Sequence, residues 1–130
     1  MPAYDDRLFS PPAPLAKVML RNQESSMTLS DVPMLLDSGA DITLIPQASV
    51  SFLGVAASTN ESYELMGFDG SVSQAQVVQL DLIFLRRTFK GRFLVINQER
   101  GILGRDVLNH LSVLLDGPQL AWDKYKAPAN

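Results

Sequence analysis

The stretch from Val32 to Pro46 constrains this chain more than any other. Val32 to Leu36 reads as a buried strand, the tight loop Asp37-Ser38-Gly39-Ala40-Asp41 interrupts it, and Ile42, Leu44 and Ile45 return the chain to the interior. An unpaired carboxylate at the end of an apolar strand is costly to desolvate, so Asp37 suits chemistry better than stability there. Gly39 and Ala40 keep the loop small enough for a substrate or a second backbone to approach closely. Ser38 sets a hydroxyl beside the acid.

Composition narrows the classes of function. The 130 residues fit one domain, and 46% hydrophobic content is enough for a core. Eight Gly and eight Pro, with little helical periodicity, point to β structure. A formal charge of −3 gives no reason to expect a nucleic-acid partner. The absence of cysteine excludes disulfides, thiol nucleophiles and cysteine-ligated metal, and one histidine excludes a multi-His zinc site. Apolar runs fall far short of a bilayer span, so no membrane partner is expected. Met1 to Ser10 carries Asp5, Asp6 and Arg7 and lacks a signal peptide's apolar core, which favours a cytoplasmic location.

Residues 1–14 end in Ser10-Pro11-Pro12-Ala13-Pro14, which predicts a proline-rich extended arm or linker. The domain proper spans 15–123. Leu15 to Arg21 is a strand with Ala16, Val18 and Leu20 on one face, and after a polar turn Met27 to Ser30 pairs back. Pro33 is expected near the start of the strand that ends at Asp37. Gln47 to Gly54 suits a short helix with Ala48, Phe52 and Leu53 as its apolar residues, and Ala56 to Ser62 a polar loop. That loop holds the sequon Asn60-Glu61-Ser62, relevant only to a secreted protein.

Tyr63 to Val72 has the pattern of a β-hairpin with the tip Gly67-Phe68-Asp69-Gly70. From Ala75 to Phe84 the alternation changes phase, which predicts a bulge or bend near Val77-Val78. Arg86-Arg87 marks a turn of solvated charge, and Phe89 to Ile96 a strand covered on both faces. Ile102-Leu103-Gly104 leads into a helix over 105–111, with Asp106 as N-cap and Val107, Leu108 and Leu111 facing inward. His110 lies off that face. Ser112 to Trp122 is a terminal hairpin turning at Asp116-Gly117, with Trp122 as a core or interface anchor. Residues 124–130 form a polar tail.

Two motifs carry a family resemblance. Leu35-Leu36-Asp37-Ser38-Gly39-Ala40 resembles the active-site signature of the retropepsin-like aspartic proteases, single-domain relatives of pepsin. Gly101-Ile102-Leu103-Gly104-Arg105-Asp106-Val107-Leu108 is similar to that family's late motif, two apolar residues and a Gly followed by Arg and a short helix. The resemblance implies an all-β, single-domain closed barrel with a flap hairpin and one or two short helices, working as a homodimer. It implies Asp37 as the catalytic acid in the hydrolysis of a peptide or polyprotein near hydrophobic residues. Ser38, Gly39, Ala40 and Arg105 would support the loop, with Arg105 bridging to Asp41. Gly39, Asp41 and the flap residues Gly67, Phe68, Asp69 and Gly70 would meet the extended substrate.

Aspartic proteolysis needs two carboxylates sharing one proton. This chain supplies a single Asp-Ser-Gly, since Asp69-Gly70 and Asp116-Gly117 lack the hydroxyl residue and the preceding apolar strand. The second acid is therefore expected from a second copy across a twofold axis, with no metal or organic cofactor required. The proline-rich arm and polar tail depart from a plain retroviral terminus, and retrotransposon proteases and cellular shuttle-protein domains look closer. Two other readings stay open: a retropepsin-like module that dimerises or binds peptides without turnover, and an unrelated small β-barrel binding domain.

Overall fold

Where the apolar alternation is strongest, the chain forms long strands. The computed structural model describes residues 1–66 and 72–128, with side chains described for 1–58 and 75–128, so the expected tip Gly67-Phe68-Asp69-Gly70 lies outside the described residues. The elements in order are β1 (Tyr4–Asp5), β2 (Ala13–Arg21), β3 (Thr28–Leu36), β4 (Leu44–Pro46), α1 (Gln47–Leu53), β5 (Ser58–Met66), β6 (Val72–Phe84), β7 (Arg87–Ile96), β8 (Gly101–Leu103), α2 (Arg105–Leu108), β9 (Val113–Asp116) and β10 (Ala121–Lys124). The main sheet runs β1-β2-β3-β8-β4-β7-β6-β5, and a further pairing of β2 with β6 closes it into a barrel. The expected all-β barrel with two short helices is the fold observed.

Ala16, Val18 and Leu20 of β2 all point into the core, joined by Val32 and Met34 of β3 and by Leu80, Leu82 and Phe84 of β6. Each leucine-sized side chain taken out of water there contributes about 1.5–3 kcal/mol, which makes this cluster the dominant source of stability. The phase change in β6 has a different cause from the expected bulge. Its register with β7 runs unbroken from Val77↔Leu94 to Phe84↔Arg87. Both faces are covered instead: Val78, Leu80, Leu82 and Phe84 belong to the main core, whereas Ala75 and Val77 join Leu44 and Leu94 in a second cluster. The irregularity falls on the neighbouring strand, between Ser58 and Ser62 of β5.

Other local expectations need correction. The polar stretch 56–62 is a loop only to Ala57, because Ser58 begins β5. Helix α1 ends at Gly54, whose φ of 69° is left-handed backbone that glycine adopts without strain. Its inward residues are Ser49, Val50 and Leu53, while Ala48 and Phe52 face solvent. Pro33 sits inside β3, opposite Lys17, one residue before β8 begins to pair at Met34. Its missing N–H therefore falls where one side of β3 is still an edge.

Of residues 1–14, expected as an arm or linker, Tyr4 and Asp5 pair with Pro14 and Ala13. The same segment also meets the terminal hairpin: Tyr4 donates to the Leu120 carbonyl at 2.8 Å and Trp122 to the Pro2 carbonyl at 2.9 Å. Trp122 is buried, stacks obliquely on Phe84 at 5.8 Å, and its indole N–H donates to the Leu15 carbonyl. The indole thus anchors β10 to the barrel wall.

Two stability predictions arise here. Leu85 and Arg86, the two-residue loop between β6 and β7, have φ of 51° and 64°, the signature of a type I′ turn usually built from Asn and Gly. Left-handed backbone costs a side-chain-bearing residue about 1–2 kcal/mol, more than the unfolded-state entropy that glycine adds. Arg86→Gly is therefore expected to stabilise the fold by about 0.5 kcal/mol, read as a raised urea midpoint.

The second concerns Asp81, buried on β6, which accepts from Arg21 Nε at 3.0 Å and Nη2 at 2.8 Å and from Gln23 at 2.9 Å. Burial pushes this carboxyl up, but the hydrogen bonds from Arg21 and Gln23 and the charges of Arg21 and Lys90 outweigh it, leaving the group below the ordinary 3.8. A carboxylate with a depressed folded value adds stability above the unfolded value and loses it as pH falls through the folded one. Wild type is thus expected to exceed Asp81→Asn in thermal midpoint at neutral pH, with the gap closing as pH drops below 3.8. A gap independent of pH would contradict the assignment.

Candidate active site

The loop carrying Asp37 is positioned by strands distant in sequence. β8 lies between β3 and β4, parallel to β3 (Leu35↔Ile102, Leu36↔Leu103) and antiparallel to β4 (Leu44↔Ile102). The chain on either side of the loop is therefore held by the same short strand, with Ile102 paired on both sides. Asp37 N–H donates to the Leu103 carbonyl at 3.1 Å, and Arg105 N–H donates to the Ala40 carbonyl at 2.9 Å. Close approach explains the glycines of the late motif. A Cβ on Gly104 would lie 2.8 Å from the Ile42 carbonyl carbon and 3.0 Å from the Ala40 oxygen.

Within the loop, Asp37 is half-buried, and its Oδ1 accepts from Gly39 N–H at 2.9 Å. Ala40 N–H donates to the Asp37 carbonyl at 3.1 Å, closing the turn. Ser38 and Gly39 are exposed. Arg105 reaches the loop from α2, donating to the Ser38 carbonyl at 2.6 Å and pairing with the Asp41 carboxylate. The Asp41 side chain is 81% exposed and that of Arg105 42%, so the pair is worth about 0–1 kcal/mol. Its effect is orientation of the loop more than stability of the fold. Structure thus brings Asp37, Ser38, Gly39, Ala40, Asp41 and Arg105 together; Gly67, Phe68, Asp69 and Gly70 lie outside the described residues.

Two positioning residues escaped the sequence reading. Thr43 is fully buried; its Oγ accepts from Gly104 N–H at 3.0 Å and donates to Asp106 Oδ1 at 2.7 Å. Asp106 also accepts from Thr43 N–H at 3.0 Å. The residue before α2 is Gly104, with no side-chain cap, so Asp106 is not the N-cap expected but a brace between the two loop ends. A lone hydroxyl residue inside the apolar run Ile42 to Ile45 was the available signal.

Apolar surface flanks the loop on two sides. A cavity of about 260 Å³ is lined by Leu36, Ser38, Leu108, Leu111, Val113 and Leu115, and Leu114 and Leu115 of β9 are 45% and 56% exposed. Ile42, Ile96 and Ile102 pack half-buried on the second cluster, whereas Leu44 is buried.

The retroviral aspartyl protease family model matches residues 11–116, a span that includes the Asp37 loop and the Gly104-Arg105 turn. The chain belongs to the retroviral aspartyl protease family. Its barrel is similar to that of EIAV protease complexed with the inhibitor HBY-793, at 24% identity and a TM-score of 0.56 over 75% of this chain and 86% of that one. This likeness speaks for the fold. No curated protein matches the chain. In this retroviral aspartyl protease relative, the segments that clamp each other, Pro2–Tyr4 and Leu120–Trp122, both lie outside the matched span.

Proposed function

We propose that this chain is an aspartic endopeptidase that works as a homodimer, with Asp37 of each copy meeting at the twofold axis. The observation that carries the reading is an acid at a loop tip whose backbone is fixed on both sides by β8 and Arg105 while its apolar flanks stay open. A second copy would cover Leu114, Leu115 and the adjacent groove and supply the second carboxylate. One carboxylate takes a proton from water as it attacks the scissile carbonyl, and the other gives its proton to the carbonyl oxygen. The tetrahedral diol then collapses: one of its hydroxyls returns a proton to the ionised carboxylate as the C–N bond breaks, and the departing amine takes the proton held by the other carboxyl group.

Ser38, Gly39, Ala40 and Arg105 hold the loop in this scheme. Gly39 and Asp41, with the hairpin residues Gly67, Phe68, Asp69 and Gly70, meet an extended peptide by strand-like pairing. Ile42, Ile96 and Ile102 favour hydrophobic substrate side chains. The reading is tested by incubating the protein at high concentration and mildly acidic pH with a diverse peptide mixture. Cleavage between apolar residues is expected. A confirmed dimer with no cleavage would favour a silent peptide-binding module.

A further inference from the structure

From Leu82 to Gln98 the chain contains no Asp or Glu, and Arg86, Arg87, Lys90 and Arg92 fall within seven residues of it. On a chain of net charge −3 this is a concentrated cationic segment. It coincides with an open sheet edge. β6 pairs with β7 along its length, but β4 reaches only Leu94 to Ile96 on the other side. Among the described residues, no strand pairs with that side from Arg87 to Phe93.

The backbone polarity of this edge follows from one bond. Leu94 N–H donates to the Thr43 carbonyl at 3.1 Å, on the β4 side. Strand geometry repeats every two residues and the register is unbroken, so Thr88 and Lys90 also direct their N–H and C=O groups away from β6. A groove of about 400 Å³ runs along this edge, with residues 87–93 on one wall and Asp106, Val107 and His110 on the other. Arg87 is held at its mouth: its guanidinium donates to the His110 carbonyl and lies 5.8 Å from the half-buried Phe89 ring. Lys90 pairs across the ladder with Asp81 and so faces the opposite side of the sheet from Phe89.

We propose that this edge is a docking site for an extended acidic peptide, which adds to β7 as a strand alongside Thr88 and Lys90. Main-chain pairing supplies the register, and Arg87 on one face and Lys90 on the other receive carboxylates from acidic residues on both faces of the added strand. The site is separate from Asp37 and does not depend on turnover.

The test uses the Asp37→Asn protein and a fluorescein-labelled peptide of about eight residues in which Glu-Glu and Val-Val pairs alternate, so that each face of the added strand carries carboxylates. Binding by fluorescence anisotropy is expected, weakened about tenfold or more by Arg87→Gln with Lys90→Gln and unchanged by Arg7→Gln, with Thr88 and Lys90 amides gaining exchange protection. Thermal midpoints check that the double variant folds; if it does not, Lys90→Gln alone is used. The same peptide N-methylated at alternate residues should bind far more weakly. Equal binding of the methylated peptide, tighter binding of single-stranded RNA, or indifference to the variants would overturn strand addition. No binding would also overturn it, leaving the charges as protection of an exposed edge against aggregation.

Discussion

Peptide cleavage by the Asp37→Asn protein is expected to fall by about a thousandfold or more, because general acid–base catalysis of this kind contributes 10²–10⁴-fold. Asn is close in size and keeps an oxygen that can accept from Gly39 N–H, so the turn closed by Ala40 and Asp37 stays intact. What it lacks is an exchangeable proton of carboxyl acidity. The expected signature is loss of turnover with an unchanged thermal midpoint and unchanged self-association. A variant that cleaves at the wild-type rate would exclude Asp37 from the chemistry.

The largest expected loss of stability comes from Gly101→Ala. A Cβ there would lie 2.4 Å from the Leu44 carbonyl oxygen and 2.4 Å from Met34 Sδ. The methionine could move, but the carbonyl belongs to β4, which pairs with both β8 and β7. Overpacking of this kind costs about 1–3 kcal/mol, and the rigid backbone contact places Gly101→Ala at about 3 kcal/mol or above. Against a typical total of about 5–15 kcal/mol, that is a large fraction. Gly117→Ala, where an added Cβ meets nothing within 4 Å, serves as the control, with an expected change of less than about 0.5 kcal/mol. Similar midpoints for the two variants would show that β3, β8 and β4 repack freely.

Those contrasts also explain what sequence could and could not convey. Alternation in β2 and in the Val78-to-Phe84 part of β6 was legible because burial follows the two-residue period, whereas Ala75 and Val77 broke the phase because a second cluster covers the other face of the strand. The Asp37 loop stood out because an acid interrupts an apolar strand. By contrast, Phe52 looked like a core residue of α1, yet the helix docks through Ser49, Val50 and Leu53, a choice set by what lies beneath it. Asp106 matched a capping pattern but was taken by Thr43, sixty-three positions away. The meeting of Pro2 and Trp122 left no local signal, since backbone pairing between chain ends depends on topology alone.

As proposed, two copies build one catalytic centre. Initial cleavage rates measured across a dilution series of wild-type protein, with and without excess Asp37→Asn protein, test it most directly. A homodimer predicts that specific activity falls on dilution and that the variant suppresses wild type by capturing it in mixed dimers. Constant specific activity, indifferent to excess variant, would mean that a single copy carries the whole centre and would contradict the account.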